Sequence, residues 1–341
     1  MNKKRTLTMF DIAKLANVSE ATVSRALKGS PLVNENTRKR VQEIAREHNY
    51  KVNAAARNFR LKKTQTLAVV MLLEPGSGHE ISDPFLMDLL GSIANEASRQ
   101  GYDLLLSTNP MNIPDLQDYY IGSKRADGLI IIGQGRHENR LAQLAERGSA
   151  FVVWGAHLPD TGYCTVGSDN KKGAFDAVSH LIKNGRRQIA FMGDRRHPEI
   201  EHRFEGYLSA LDQAGLSSNE DLFIPTDFSR ADGYKKAHDR LIARNRSFDA
   251  IYAASDNIAL GAIPSLTDSG IRVPEDVAIA GFDDNPLAAF SSPALTTVRQ
   301  DTKKGGELLV KCLLAILDGQ TVTPVAMPTE LIVRQSSAGR A

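Results

Sequence analysis

The sequence predicts a small all-α helix-turn-helix module joined to a larger α/β body of parallel sheets. Three observations predict it. Basic charge is gathered at one end: residues 1–63 hold 15 Lys+Arg against 5 Asp+Glu, and the remainder 27 against 35. Three short amphipathic helical patterns fit inside the first fifty residues. From Thr66 onward, apolar strand-like runs alternate with helical ones, as they do in parallel sheets with helices on both faces.

The basic module is read in order. Thr8 precedes Met-Phe-Asp-Ile-Ala-Lys-Leu-Ala with Asp11 three positions on, an N-cap followed by an acidic first turn. Ile12, Leu15 and Ala16 make the apolar face of this first helix. After a turn at Asn17-Val18, Ser19 caps a second helix from Glu20 to Leu27, whose buried side is Val23 and Leu27. Lys28-Gly29 ends it, glycine being suited to the left-handed position after a helix. Asn34 opens a third helix with Val41, Ile44 and Ala45 inward. Two helices around a four-residue turn, the second carrying small polar groups and an arginine, form a helix-turn-helix. The net positive charge then points to a polyanion as partner.

The run Asp11-Ile-Ala-Lys-Leu-Ala-Asn-Val-Ser-Glu-Ala-Thr-Val-Ser-Arg-Ala-Leu, with its Val18-Ser19-x-x-Thr22-Val23-Ser24-Arg25 core, resembles the N-terminal domain of the lactose-repressor (LacI/GalR) family. In that family the second helix lies in the major groove. By position, the resemblance implies that Glu20, Ala21 and Arg25 face base edges, that Ser19, Thr22, Ser24, Asn34 and Thr37 hold phosphates, and that Thr8 belongs to the same DNA-binding set. The chemistry agrees: arginine makes a bidentate contact to guanine, alanine touches a thymine methyl, and glutamate accepts from cytosine N4. Hydroxyls at phosphates fix register without reading sequence. A second reading stands for Glu20, an acidic residue placed in the first turn for dipole reasons.

Residues 51–63 are alanine-rich and basic, and a helix this short is marginal alone in water. The segment is therefore expected to order only on DNA. The family places paired hinge helices in the minor groove, which by position implicates Asn53, Ala56 and Phe59. Phe59 stands where the family has a leucine wedge, and Val52 where a proline is common. Phenylalanine also unstacks a base step, so the departure puts the geometry of the kink in question rather than the role. A plain flexible linker is the competing reading.

In the body, strands are expected over 67–72, 102–106, 128–132, 150–154, 164–167, 188–192, 250–253 and 277–280, with helices over 84–99, 114–123, 138–147, 170–184, 201–214, 230–244 and 256–269. Eight strands alone leave one large sheet, a barrel, or two doubly wound lobes open. Stretches such as Asp83-Pro-Phe, Ser168-Asp-Asn, Arg203-x-x-Gly-Tyr207, Gly281-Phe-Asp-Asp284 and Leu295-Thr-Thr-Val-Arg-Gln-Asp301 resemble the same family, which implies two lobes of the periplasmic-binding-protein type. Three crossings are then expected near 162, 291 and 325. They divide the 64–341 core into an N-lobe of 64–161 plus 292–325 and a C-lobe of 162–291 plus 326–341, behind a DNA-binding domain of 1–50 and the 51–63 hinge.

Ligands of open α/β sheets sit beyond the carboxyl ends of the strands. The resemblance carries effector contacts onto Arg203, Asp283, Phe228 and Ser255, with Asp83, Phe85 and Trp154 as further candidates. The competing readings are a structural Arg203–Asp283 ion pair and core-filling roles for Trp154 and Phe228. The Arg195-Arg196-His197 loop is either surface charge or a preference for an anionic effector.

Enzymatic readings find little in the sequence. There is no P-loop, no Gly-x-Ser-x-Gly elbow and no metal-ligand spacing among the eight histidines, of which His137, His180, His197 and His202 have solvated surface as their default. Gly133-Gln-Gly135 lacks the third glycine of a dinucleotide fingerprint. No catalytic residue, metal or cofactor is expected. Cys164 and Cys312 are most simply small core residues of a reducing compartment, and neither a secretory signal nor a membrane span is visible. A cytoplasmic homodimer on pseudo-palindromic operator DNA is expected, and the family resemblance implies that it represses sugar-utilisation genes until a sugar or sugar-phosphate inducer releases it. A purine-type corepressor is the alternative, and a periplasmic solute-binding protein the alternative from another class.

Overall fold

Thr8 and Asp11 start the first helix with a reciprocal capping box: Asp11 N donates to Thr8 Oγ1 (3.3 Å) and Thr8 N to Asp11 Oδ2 (2.8 Å). The computed structural model of the chain describes residues 7–27, 29–48, 50, 63–73, 76, 78, 80–107, 112–135 and 138–338. The chain divides into two units between residues 64 and 65.

In the first unit, helices α1 (Met9–Leu15), α2 (Glu20–Leu27) and α3 (Glu35–Glu47) enclose Ile12, Ala16, Val23, Ala26, Val33 and Val41. Two expected core positions differ. Leu15 is 52% exposed, because the inward stripe of so short a helix is centred on Ile12, Ala13 and Ala16. Ala26 takes the buried place assigned to Leu27, which ends α2 and is half-buried. Gly29 has φ +70°, and the N–H of Ser30 returns to the Arg25 carbonyl at 3.0 Å, closing α2 as a left-handed C-terminal turn requires.

The second unit has two lobes, each built on a six-stranded sheet. The N-lobe sheet holds β1 (Thr66–Met71), β2 (Asp103–Ser107), β3 (Gly128–Ile132), β4 (Phe151–Trp154), β5 (Cys164–Ser168) and β11 (Val325–Met327). They run in the order β11-β5-β4-β3-β1-β2, all parallel. The C-lobe sheet holds β6 (Ile189–Met192), β7 (Phe223–Ile224), β8 (Ala250–Ala253), β9 (Ala278–Asp283), β10 (Thr296–Arg299) and β12 (Glu330–Ile332). Their order is β12-β10-β9-β8-β6-β7, parallel except for β12 against β10.

Side chains alternate between the two faces of each sheet. Along β1, Leu67, Val69 and Met71 pack under α4 (Pro84–Arg99) and α10 (Thr302–Leu317). Ala68 and Val70 face the other way, toward a helical turn at 117–122 and α5 (Glu138–Glu146). In the C-lobe, α6 (Asn170–Lys183) and α7 (Pro198–Gln213) cover one face, while residues 237–242 and α9 (Asp256–Asp268) cover the other. Helix α8 (Arg230–Lys236) packs on α9. Among the described residues no helix is long and apolar enough to cross a membrane.

The lobe boundaries differ from those the sequence suggested. β5 stays in the N-lobe sheet, β10 in the C-lobe sheet and β11 in the N-lobe sheet. The crossings therefore fall at 168–170, 300–302 and 327–330, not near 162, 291 and 325. The loops at 155–163 and 284–295 look like linkers, but each returns the chain to the sheet it left. Strands β7, β10, β11 and β12 are not among those expected: β7, β11 and β12, with two or three residues, are too short to carry a period, and β10, Thr-Thr-Val-Arg, has one apolar residue.

Candidate functional site

On α2, Ala21 and Arg25 stand one turn apart and are exposed, while Glu20, Thr22 and Ser24 are half-exposed. Ser19, exposed ahead of the helix, accepts from Thr22 N (3.2 Å) and shares a 2.9 Å bond with the Thr22 hydroxyl. Asn34 caps α3 through Oδ1, accepting from Thr37 N at 2.8 Å. Its carbonyl is thus committed to the helix, and its NH2 group is the part suited to an anion. Thr8 donates its hydroxyl to Asp11 (2.7 Å), so an anion at Thr8 competes with the capping box. Asn53, Ala56 and Phe59 lie outside the described residues, as does His137.

In the second unit the carboxyl ends of both sheets open on one cleft. All seven sequence candidates, Asp83, Phe85, Trp154, Arg203, Phe228, Ser255 and Asp283, line it.

Arg203 and Asp283 are held by separate anchors. Arg203, 5% exposed, donates Nε to Asn170 Oδ1 (2.8 Å) and Nη1 to the Ala254 carbonyl (2.5 Å). Its guanidinium lies over the Phe282 ring, 3.7 Å from the centroid. Asp283 accepts from Gln300 Nε2 at 2.7 Å, with Arg203 Nη1 at 3.8 Å. Burial pushes the Asp283 carboxyl up to about 7; the Arg203 charge pulls the other way, and Asp83 adds to the rise. Asp283 and Asp284 have φ of 123° and 55°, backbone conformations in which L-residues are strained.

The aromatic residues form two pairs. Phe85 and Trp154 meet at 6.0 Å, and His197 meets Phe228 edge-on at 5.0 Å. Trp154 is seated against α10, where a Cβ at Gly305 would come within 2.5 Å of the indole. Asp83 caps α4, accepting from Phe85 N (2.9 Å), and its other oxygen accepts from Asn257 of the C-lobe at 2.7 Å. Burial raises the Asp83 carboxyl. Ser255 caps α9, so its hydroxyl has a structural task as well. Behind it, fully buried Asp256 accepts from Thr297 Oγ1 (2.5 Å) and Asn285 N (2.7 Å), and burial drives its carboxyl well above the ordinary range.

Sequence reasoning misses Ser168, Asn170, Glu199 and Gln300 and names His197 only within a basic loop, and all five line the cleft. Ser168, Asn170 and Gln300 sit in stretches whose resemblance to the family speaks only for the fold. His197 is 8% exposed and not the solvated residue expected, because it opens α7 against Phe228. His180 also departs from that default, bonding to Ser337 at 2.8 Å. Arg195 pairs with Glu201 and Arg196 with Asp194, which makes these two arginines paired surface charge.

The family model for bacterial regulatory proteins, lacI family, matches residues 8–53, and that for a periplasmic binding protein-like domain matches residues 178–337. The HTH-type transcriptional repressor PurR of Aliivibrio salmonicida is 32% identical over 90% of this chain and 91% of its own. The chain belongs to the lacI family of bacterial regulatory proteins. Among solved structures, the transcriptional regulator CelR–cellobiose complex aligns with a TM-score of 0.73 and 30% identity, covering 97% of this chain and 99% of its own. The lac repressor dimer bound to operator shares the fold, with a TM-score of 0.85 at 24% identity over 98% of this chain and 100% of its own. Membership of the lacI family makes this chain a transcriptional regulator with an N-terminal helix-turn-helix and a two-lobed effector core.

Proposed function

We propose that this lacI-family regulator is a dimeric repressor that reads a pseudo-palindromic operator through α2 and is released by a sugar or sugar phosphate bound between its lobes. The observation that carries the reading is the cleft. Seven residues chosen for effector contact, scattered from 83 to 283, line one cavity at the carboxyl ends of both sheets. Its aromatic rings offer flat apolar surfaces, and its carboxyl, amide and guanidinium groups offer hydrogen bonds, the combination that pyranose and furanose rings need. The cellobiose carried by the CelR structure supports a carbohydrate for this chain too.

In this reading Arg25 and Ala21 face base edges, Glu20 reads a cytosine or favours the helix dipole, and Ser19, Thr22, Ser24, Asn34, Thr37 and Thr8 hold phosphates. Asn53, Ala56 and Phe59 act at the minor groove. A single half-site contact is weak, so a two-fold dimer supplies the second. A ligand that prefers one lobe arrangement shifts operator affinity by its differential affinity for the two states, about 1–3 kcal/mol in typical couplings.

The test uses the full chain and the DNA upstream of its own gene. Fluorescence anisotropy is expected to show sequence-preferred binding that a sugar weakens in titration. Equal affinity for upstream and random DNA overturns the regulator reading of α2, and sequence-preferred binding indifferent to carbohydrates overturns the effector reading.

A further inference from the structure

Two buried polar atoms in the cleft have no hydrogen-bond partner among the described residues: Ser168 Oγ and Glu199 Oε2. Both residues line the cavity, and Ser168 is 6% exposed. They come from opposite lobes. Ser168 ends strand β5 of the N-lobe, and Glu199 lies in the first turn of α7 in the C-lobe. An unpaired buried polar atom costs about 1–3 kcal/mol, and more when charged. Native folds rarely carry such atoms without a use.

We propose that Ser168 and Glu199 select the effector class: an uncharged, hydroxyl-rich ligand that bridges them and so ties one lobe to the other, with phosphorylated and acidic sugars excluded. The inference deepens the reading of the cleft as a carbohydrate effector site and rests on it. The donor inventory narrows the ligand. An ionised carboxyl only accepts, whereas a serine hydroxyl both donates and accepts. The group that complements both is a hydroxyl, which gives its proton to Glu199 at one end of the ligand and exchanges hydrogen bonds with Ser168 at the other.

Charge narrows it further. The cleft sets the carboxyls of Asp83, Glu199 and Asp283 against the guanidinium of Arg203. That guanidinium already donates to Asn170 and the Ala254 carbonyl, and it faces Asp283 at 3.8 Å. Outside, Arg195 and Arg196 are neutralised by Glu201 and Asp194 and offer no spare cation to a phosphate. A phosphate or carboxylate entering the cleft meets three carboxyls against one guanidinium that already shares its charge with Asp283, and any of these carboxyls that is ionised repels it strongly at short range in a low-dielectric site.

Matched pairs test this by titration calorimetry on the full-length protein: D-glucose with glucose 6-phosphate, D-ribose with ribose 5-phosphate, and cellobiose with cellobionate. At least one neutral member is expected to bind, with its anionic counterpart at least tenfold weaker. Glu199→Ala and Ser168→Ala are each expected to weaken the neutral ligand at least tenfold. Glu199→Gln, which keeps an acceptor and removes the charge, is expected to stay within about threefold for the neutral ligand and to narrow the gap to the anion. Circular dichroism melts keep unfolded variants out of the comparison. An anionic member binding as tightly as its neutral partner overturns the charge argument, and full affinity in a folded Glu199→Ala overturns the bridge. Silence from every pair overturns the carbohydrate reading itself.

Discussion

Arg203 Nη1 stands 3.8 Å from Asp283 Oδ1, and neither side chain makes the other its hydrogen-bond partner. Each is fixed from behind, Arg203 by Asn170 and the Ala254 carbonyl, Asp283 by Gln300. A pair built only for stability would close to direct contact, because a buried ion pair repays its desolvation only in excellent geometry. In the proposed effector reading, a ligand hydroxyl beside the pair accepts from Arg203 and donates to Asp283.

Arg203→Ala is therefore expected to lower carbohydrate affinity at least tenfold, consistent with the loss of a buried charged hydrogen bond worth about 1.5–3 kcal/mol. It also strands Asn170 and Ala254, so the melting temperature falls as well. Calorimetry on the folded fraction separates the two effects, and unchanged ligand affinity there makes the pair purely structural.

Asp283 gives stability a pH dependence of known sign. Its carboxyl is held up at about 7 in the folded chain, above its value of 3.8 when free. The folded state thus binds more protons than the unfolded one between those values, so the Asp283 contribution to stability falls as pH rises from about 4 to 7 and is level above. Buried Asp256 and Asp83 act in the same direction. Asp283→Asn is expected to raise the melting temperature relative to wild type more at pH 8 than at pH 5, by roughly 2–4 °C for each kcal/mol recovered. Parallel pH profiles for the two proteins would show that this carboxyl is not the titrating group.

Arg25→Ala is expected to cost roughly 1–3 kcal/mol per half-site on the operator and to leave random-DNA binding almost intact. Competition anisotropy at fixed salt decides it. Equal losses on both DNAs would move Arg25 from base to phosphate contact.

Asn34 separates two roles carried by one side chain. Asn34→Asp keeps the cap oxygen for Thr37 N and replaces the outward amide donor by a carboxylate, so the melting temperature holds while DNA affinity falls and its salt slope becomes shallower. Asn34→Ala is expected to lose both, with about 0.5–2 kcal/mol of stability gone with the cap. Retained DNA affinity in Asn34→Asp would remove Asn34 from the phosphate contacts.

Gly206 lies where α7 crosses α6, and a Cβ there would come within 2.2 Å of the Lys171 carbonyl oxygen. Alanine has the better helix propensity by about 1 kcal/mol, but here the backbone clash prevails. Gly206→Ala is expected to lower the melting temperature and, by spreading the helices that bring Arg203 to Asn170, to weaken carbohydrate binding. A stabilised variant would refute this.

What was legible in the sequence follows from physics. Caps at Thr8, Ser19 and Asn34 are local chemistry, and their hydrogen bonds lie where the residue types place them. Long strands such as β1 announce themselves by composition. Leu15 and Leu27 were misjudged because a helix of two turns lets tertiary packing choose which edge residue to bury. The lobe boundaries were illegible for a related reason: whether β5 and β10 join one sheet or the other is a long-range pairing that no local pattern encodes. In the cleft, residues with a family counterpart were found. Glu199 was not, because a glutamate opening a helix looks like any helix start until its oxygen is seen unpaired.

Neither lobe is contiguous along the chain. The N-lobe sheet needs β11 from 325–327 and its helical cover needs 302–317, while the C-lobe sheet needs β10 and β12 from 296–332. During synthesis, then, the three N-terminal helices have all their core partners once residue 50 has emerged, whereas both lobes wait for the final tenth of the chain. The helical unit can therefore complete its core while most of the chain is still being made, whereas neither sheet can be completed until the last of its strands has been synthesised.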